Sequence, residues 1–205
     1  RSKGPAVWSL RAQADRREYQ KIMKHTLEKQ ENLWVKQAEI VDILTENGAV
    51  SGVVTHTGAV YQVKAAIVAT GTHLGGRIVV GEVVRDSGPD GLSAALPLTD
   101  SLKRLGLSIR RFKTGTPPRV NRRSVDFSKM ELQEGDGDGM AFSFRTEIPP
   151  ENRAVCYLTY TNERTHEIIR ANLSRSPLYD GTIEGVGPRY CPSIEDKVVR
   201  FADKP

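Results

Sequence analysis

The spacing of hydrophobic and polar residues predicts one amphipathic helix followed by three short strands in the first part of the chain. Apolar side chains recur at helical spacing between residues 12 and 30, and charged side chains fill the positions between them. Three runs rich in strand-forming residues follow, at 34–44, 50–56 and 60–68. Asn47-Gly48 and Thr57-Gly58 supply turns between these runs. The pattern therefore predicts a helix and then a β-meander.

The pattern changes near Gly76, and the rest of the chain predicts a mixture of helices, strands and longer loops. Helices are predicted at residues 98–105, at 164–173 and from Ile194 onwards, and strands at 107–112 and 154–160. We therefore expect an α/β chain of two domains, residues 1–76 and 77–205.

Cys191 lies between Arg189 and the predicted helix start at Ile194. Ser193 and Asp196 have the spacing of a capping box, which places Cys191 close to the positive end of a helix dipole. A nearby cation and a helix N-terminus both favour the thiolate over the thiol, so the pattern indicates a reactive cysteine. The alternative is a structural cysteine packed in the core, because free cysteines are often buried.

Composition narrows the classes of function. The net charge is +5, and basic residues cluster at 16–17, 110–113 and 119–123, which suits a polyanion such as RNA, although a solvated basic face gives the same pattern. No apolar run approaches the roughly 20 residues of a membrane span, and no signal peptide is visible.

Cys156 and Cys191 lack CxxC spacing, so we expect reduced thiols, no metal site and a cytoplasmic protein. Cys156 lies within a predicted strand and is expected to be buried.

Two turns follow predicted strands. The third strand-forming run closes into Ala66–Thr72 and ends at Thr70, Gly71 and Thr72, small residues that leave the main chain accessible. Residues 113–119 form a proline-stiffened turn between Lys113 and Arg119, in which successive N–H groups can hold an anion. An ordinary turn and a rigid connector are the alternatives. No G-x-G-x-x-G phosphate loop occurs in the chain.

Several segments resemble one enzyme family in their order along the chain. They are residues 4–7 (GPAV), 11–16 (RAQADR), 113–119 (KTGTPPR), 161–166 (TNERTH), 172–177 (NLSRSP) and 184–201 (EGVGPRYCPSIEDKVVRF). Together they resemble the flavoproteins that modify tRNA uridine with a 5-carboxymethylaminomethyl group, the GidA/MnmG family. In that family the phosphate loop and a second cysteine precede the position of Arg1, so we expect the chain to be a piece of a longer protein and inactive alone.

The resemblance implies a fold and a reaction. Residues 1–76 would be part of a FAD-binding domain of the glutathione-reductase type, a helix plus a β-meander, and residues 77–205 a mixed α/β insertion associated with NAD. The reaction would be FAD- and NADH-dependent modification of the wobble uridine, position 34, with methylene-tetrahydrofolate as the carbon donor. The implied partners are tRNA, a GTPase and a second copy of the protein.

The resemblance also implies site residues. Cys191 would be catalytic, and Lys113, Arg119 and Arg189 would bind RNA or phosphate. The residues expected at the flavin are Ile40, Thr70, Gly71 and Thr72. The residues expected at the nicotinamide dinucleotide are Gly187, Pro188, Arg189, Tyr190, Cys191, Pro192, Ser193, Ile194, Glu195, Asp196, Lys197, Val198, Val199, Arg200 and Phe201.

Two other functions fit part of the sequence. The related folate- and FAD-dependent tRNA uridine-54 methyltransferases share the expected fold and carbon donor, but the segment around Cys191 is not expected in them. A non-catalytic RNA-binding module is supported by the basic clusters alone.

Overall fold

Four α-helices and seven short strands lie in the described part of the chain. The structure is a computed structural model, and it describes residues 10–135, 140–148, 150–185 and 193–203. In chain order the elements are helix α1 (Arg16–Glu28), strands β1 (Ile40–Glu46), β2 (Ala49–Thr55), β3 (Val60–Gln62), β4 (Arg77–Val80) and β5 (Val83–Asp86), helix α2 (Leu96–Arg104), strands β6 (Glu131–Gln133) and β7 (Cys156–Leu158), and helices α3 (Glu163–Ala171) and α4 (Ile194–Arg200). The predicted α/β class is confirmed.

Asp15 caps the first helix. Its carboxylate accepts hydrogen bonds from the backbone N–H groups of Arg17, at 2.9 Å, and Glu18, at 3.1 Å. These donors have no partner within the first helical turn, so the cap stabilises the helix start. The helix predicted from the apolar spacing is confirmed, and it begins at Arg16 because the cap determines the boundary.

The predicted β-meander is also confirmed, but its third strand was predicted too long: it ends at Gln62, and residues 63–70 form no strand. Strands β1, β2 and β3 pair antiparallel in that order. Asn47 and Gly48 join β1 to β2 with φ angles of 50° and 78°. Two positive φ angles are what a tight two-residue hairpin turn requires, and this explains the Asn-Gly dipeptide.

Helix α2 packs on strand β1 and forms the main hydrophobic core. Its buried members are Ile43, Leu98 and Leu102, and the partly buried residues packed against them are Ile40, Val50, Val53 and Leu74. Ser101 lies beside this core with 1% of its surface exposed. Its hydroxyl donates to Asp42 and accepts from the Ile43 N–H at 3.1 Å. The Asp42 carboxylate also contacts Arg104 at 3.0 Å, so a polar cluster joins α2 to β1.

One hairpin was not predicted, and one predicted strand is wrong. Strands β4 and β5 form a hairpin that the pattern did not indicate, because each strand has only four residues and the turn at Gly81 lacks an Asn-Gly or Asp-Gly pair. Conversely, the described residues 107–112 form no strand. Phe112 forms only an isolated β-bridge and residues 107–112 are exposed, so their strand-forming composition alone did not produce a strand.

The described residues fall into two compact units. The first unit comprises Arg1–Lys36 and Pro118–Tyr160, and the second comprises Gln37–Pro117 and Thr161–Pro205. The predicted boundary at Gly76 lies within the second unit. As a division between a cofactor domain and an insertion, it stays a prediction.

The first unit contains helix α1 and the two-stranded ladder of β6 and β7. Phe127 and Tyr157 pack with their ring centroids 4.6 Å apart beside this ladder. Cys156 lies in β7 and is exposed, with its thiol 3.7 Å from the Gln13 amide oxygen. The expectation that Cys156 is buried was wrong, because β7 is a strand of a two-stranded sheet and leaves Cys156 uncovered.

We expect Ser101→Ala to lower the free energy of unfolding by about 1–2 kcal/mol, because it removes one buried hydrogen-bonding partner from Asp42 and Ile43. Urea denaturation of the protein measures this change. Ser174→Ala is the matched control, since Ser174 is exposed in the same unit, and it is expected to leave the stability unchanged. Equal stability of the two variants would contradict the role given to Ser101.

Candidate functional site

The helix predicted after Cys191 begins where the capping box places it. The Ser193 hydroxyl accepts from the Asp196 N–H at 3.1 Å, and the Asp196 carboxylate accepts from the Ser193 N–H. Helix α4 then runs for seven residues, from Ile194 to Arg200. The reciprocal cap predicted from the sequence is therefore confirmed.

Asp196 is also the centre of a polar cluster that reaches beyond its own helix. The Lys113 ammonium lies 3.3 Å from one carboxylate oxygen, and the Tyr179 hydroxyl donates to the other at 3.2 Å. The side chains of Lys113 and Asp196 are only 15% and 18% exposed. This ion pair is shielded from solvent more than the surface pairs of the protein, so water and salt screen it less.

The surroundings of Asp196 change two pKa values. Burial opposes ionisation of Asp196, but the hydrogen bond and charge of Lys113, together with the hydrogen bonds from Tyr179 and Ser193, outweigh it and lower the pKa of the carboxyl below 3.8. Burial and the Asp196 charge raise the pKa of the Tyr179 hydroxyl. Asp196 is therefore an anion and Tyr179 a neutral donor at neutral pH.

Other hydrogen bonds and apolar packing hold α4 in the second unit. The Ser176 hydroxyl donates to Glu195 at 3.3 Å, and Arg170 of α3 donates to the Ala202 carbonyl at 3.4 Å. Val198 is 3% exposed and supplies the buried apolar contact of the helix. A helix of this length depends on such tertiary contacts.

The turn at Thr70, Gly71 and Thr72 leaves its main chain accessible. Gly71 has a φ angle of 57°, and a Cβ built there would meet no other described atom within 4 Å. Behind it, Gly75 and Gly76 are buried, and a Cβ on Gly76 would lie 2.6 Å from the Ser87 carbonyl oxygen. Gly75 and Gly76 are therefore packed inside the unit, whereas the backbone at Gly71 is exposed. This arrangement leaves room for a ligand to approach the main chain of Gly71 closely.

Arg111 lies close to both Gly75 and Gly185. Its guanidinium donates to the Gly75 carbonyl at 3.0 Å. Its own carbonyl oxygen would lie 3.0 Å from a Cβ built on Gly185, the last described residue before Ser193. Sequence reasoning placed Arg111 in a basic cluster and did not single out Tyr179. No local signal could have found either contact, because their partners are distant in sequence.

The predicted site residues are only partly brought together. Residues 187–192, including Arg189 and Cys191, lie outside the described residues. Lys113 and Asp196 meet, whereas Arg119 is exposed in the first unit. Ile40 begins β1 and packs against the core of the second unit. All assigned roles stay predictions.

Metal-binding clusters and membrane-spanning helices are both absent from the ranges that the structure describes. Within these ranges, no group of three or more His, Cys, Asp or Glu side chains is arranged to hold a metal ion. No helix there is long and apolar enough to cross a membrane.

Comparison with known proteins assigns the family. The family model described as glucose inhibited division protein A, GidA, matches residues 1–205. The chain belongs to the GidA family. A relative from Caldicellulosiruptor saccharolyticus, named tRNA uridine 5-carboxymethylaminomethyl modification enzyme MnmG, is 61% identical over 205 residues, which are all of this chain and 33% of the relative. A relative of the same name from Clostridium botulinum strain Okra is 57% identical over 203 residues, 99% of this chain and 32% of the relative.

Solved GidA structures share the fold. Aquifex aeolicus GidA in its form I crystal matches with a TM-score of 0.85 and 47% identity, over 99% of this chain and 35% of the GidA chain. The form II crystal matches with a TM-score of 0.82 and 44% identity, over 99% and 33% of the two chains. The chain thus spans about one third of the length of the GidA proteins it matches.

We expect Asp196→Asn to lower the free energy of unfolding at neutral pH by about 1 kcal/mol, because it removes the charge that pairs with Lys113. The pKa of Asp196 is lowered in the folded state, so its contribution is present above its ordinary pKa of 3.8 and disappears as the pH falls through the folded value. Denaturation from neutral pH downwards should therefore show the difference between variant and wild type shrinking below pH 3.8.

The matched control is Asp86→Asn. Asp86 pairs with Arg77 at 3.0 Å, but the two side chains are 46% and 43% exposed. Exposed pairs contribute about 0–1 kcal/mol, so this variant should be near wild type. A larger effect at Asp86 than at Asp196 would contradict the electrostatic description of the α4 region.

Proposed function

We propose that the whole protein is an enzyme of tRNA wobble-uridine modification that adds the 5-carboxymethylaminomethyl group at uridine 34. The observation that carries this proposal is the 61% identity over all 205 residues with a protein named for that reaction. The region described above supports it, because Ser193, the N-cap of helix α4, follows Cys191 by two positions, and the turn at Gly71 belongs to the same unit as α4.

FAD is the proposed cofactor, and Thr70, Gly71, Thr72 and Ile40 would contact it in the second unit. The exposed backbone at Gly71 supports this, since a Cβ built there meets no described atom beyond its chain neighbours within 4 Å. When bound, FAD would supply the redox chemistry of the carbon transfer, with NADH as the reductant. Residues 187–201 are proposed to contact the nicotinamide dinucleotide.

Cys191 is the proposed catalytic residue. Addition of its thiolate sulfur to C6 of the uracil would form an S–C6 bond and make C5 nucleophilic toward the one-carbon unit, derived from methylene-tetrahydrofolate. Loss of the C5 proton and release of the thiolate would then restore the ring double bond. The capped start of α4 supports this role, because a helix N-terminus near a cysteine favours the thiolate.

The remaining parts of the proposal concern partners. tRNA is the proposed substrate, and Arg119 and Arg189 are proposed to contact phosphate of tRNA or of the dinucleotide. Lys113, the third cation predicted for that role, is paired with Asp196. We also propose that the whole protein acts with a GTPase partner, forms a homodimer and is located in the cytoplasm.

Cys191→Ser in the whole protein is expected to reduce tRNA modification by a factor on the order of 1,000 or more, as removal of a nucleophile does, with an unchanged melting temperature. Mass spectrometry of the nucleosides of modified tRNA measures the activity. Cys156→Ser is the control, because Cys156 is exposed and lies in the other unit. Full activity of the Cys191→Ser enzyme would overturn the catalytic assignment.

The chain of 205 residues is expected not to retain stoichiometric FAD after dialysis. It contains no G-x-G-x-x-G loop, and each missing charge-assisted hydrogen bond to phosphate forgoes about 1.5–3 kcal/mol. Flavin absorbance of the dialysed chain and of the whole protein gives the comparison. A yellow, stoichiometrically loaded chain would show that the turn at Gly71 and its surroundings suffice for binding.

A further inference from the structure

Two arginines of the first unit, Arg122 and Arg123, lie in one short turn whose backbone is fixed by local hydrogen bonds. The Asn121 side chain accepts a hydrogen bond from the Arg123 N–H at 3.0 Å, and the Ser124 hydroxyl donates to the Asn121 carbonyl at 2.7 Å. Bonds of this kind between side chains and backbone hold a turn in one conformation. Both arginines are therefore carried by an ordered backbone, which has less freedom to lose when a ligand binds.

An aromatic pair lies beside this turn. The guanidinium carbon of Arg122 is 5.8 Å from the centroid of the Phe127 ring, a distance at which a cation is attracted to the ring. The Phe127 and Tyr157 centroids are 4.6 Å apart. Phe127 is half-buried and Tyr157 is 39% exposed, so the pair reaches the surface. We call Arg122, Arg123, Phe127 and Tyr157 the arginine–aromatic patch.

The positive charge of the arginine–aromatic patch is not neutralised by a neighbouring acid. Both arginines are exposed, and no carboxylate of the described residues lies within ion-pair distance of either guanidinium. Asp126, the nearest acidic residue in sequence, pairs with Lys129 at 3.1 Å. The patch thus differs from Lys113, whose charge is paired with Asp196.

The next acidic residue, Glu131, lies on the other face of the β6–β7 ladder. Tyr157 pairs across the ladder with Leu132, and Glu131 is the neighbour of Leu132 in the same strand. Cross-strand partners share a face of a sheet, whereas successive residues of one strand point to opposite faces. The Tyr157 face of the ladder therefore does not carry the Glu131 carboxylate.

Unpaired nucleotides are the class of ligand that fits this combination of side chains. Aromatic rings and guanidinium groups stack on the faces of exposed bases, and arginine side chains bind the phosphates between them. Bases within an RNA helix are already stacked on one another and offer no free face. An acidic protein segment would match the charge, but it gives no reason for an aromatic pair at the surface.

We propose that the arginine–aromatic patch is a contact site for an unpaired nucleotide of tRNA, in which the base stacks on Tyr157 and the Arg122 guanidinium while Arg123 binds an adjacent phosphate. The proposal rests on the proposed function, which makes tRNA the substrate, and it adds a substrate contact in the first unit.

The experiment measures binding of an unmodified tRNA transcript to the whole protein by fluorescence anisotropy over a series of salt concentrations. Arg123→Ala is expected to raise Kd and to reduce the salt slope by roughly 0.7, the value of one phosphate contact on a single strand. Tyr157→Leu is expected to raise Kd roughly 5- to 100-fold with an unchanged salt slope, because a stacking ring is lost and no charge is removed. Tyr157→Phe keeps the ring and should bind like the wild type.

Two further variants separate stacking from charge. Arg122→Lys should keep the salt slope but lose part of the affinity, because lysine has the charge without the planar group. Arg85→Ala is the matched control, since Arg85 is an exposed arginine of the second unit for which the described residues provide neither an ion pair nor a ring contact. It should bind tRNA with the wild-type Kd and salt slope.

A competition assay tests whether the nucleotide is unpaired. A single-stranded RNA oligonucleotide should displace tRNA from the wild-type protein more effectively than an RNA duplex of the same length, and Tyr157→Leu should reduce that difference. Melting temperatures identify any variant that fails to fold. Should Tyr157→Leu be such a variant, Arg123→Ala and Arg122→Lys decide the question, because both change exposed side chains.

Several outcomes would overturn the proposal. A Kd and salt slope of Arg123→Ala equal to those of Arg85→Ala would leave Arg123 without a phosphate contact. Equal competition by single-stranded and duplex RNA would exclude an unpaired nucleotide. Intact tRNA binding together with lost binding of the GTPase partner in these variants would assign the arginine–aromatic patch to a protein partner instead.

Failure of the proposed function gives a different result. The whole wild-type protein would then leave uridine 34 unmodified, while the binding series would still report whether the arginine–aromatic patch contacts RNA. If the patch alone is wrong, the wild-type protein modifies tRNA and every variant binds it with the wild-type Kd.

Discussion

The shielded ion pair between Lys113 and Asp196 joins the two parts of the chain on which the candidate site depends. Helix α4 has seven residues, too few to be stable in water without tertiary contacts. Val198 is the buried apolar residue of this helix. The other tertiary contacts described above are polar, and they are made by Asp196, Glu195 and the Ala202 carbonyl. Polar contacts are directional, so they determine where the helix begins and how it is oriented.

A pair of this kind contributes more to geometry than to stability. Removing two charges from water costs free energy, and the attraction between them offsets that cost only when further hydrogen bonds satisfy both groups. Asp196 meets this condition, since Lys113, Tyr179 and the Ser193 N–H all donate to its carboxylate. The same reasoning applies to Ser101 and Asp42, where a buried hydroxyl orients helix α2 on strand β1 beside the hydrophobic core.

Local patterns predicted the local structure well. The Asn47-Gly48 turn and the capping box at Ser193 depend on residues within four positions of one another, and the sequence shows them directly. The Asp15 cap is equally local but was not predicted, so the helix expected from residue 12 begins at Arg16. The contacts of Lys113 and Arg111 depend on the fold: Lys113 and Asp196 are 83 residues apart, and Arg111 and Gly75 are 36 apart. The predicted strand at 107–112 and the predicted burial of Cys156 were wrong for the same reason. Composition does not reveal whether a neighbouring strand or a covering layer exists.

The pairing of Lys113 also changes how the positive charge of the site is understood. A lysine that already has a carboxylate partner presents little net charge to a ligand, and a phosphate would have to compete with Asp196 for the same ammonium group. The net charge of +5 includes Lys113 together with every other cation. The Asp196 carboxylate nevertheless cancels most of the electric field of the Lys113 ammonium at the site. Attraction for a polyanion must therefore come from cations without such a shielded partner. A basic cluster in a sequence consequently contains residues of two kinds, those that face a ligand and those that hold the protein in the shape that binds it.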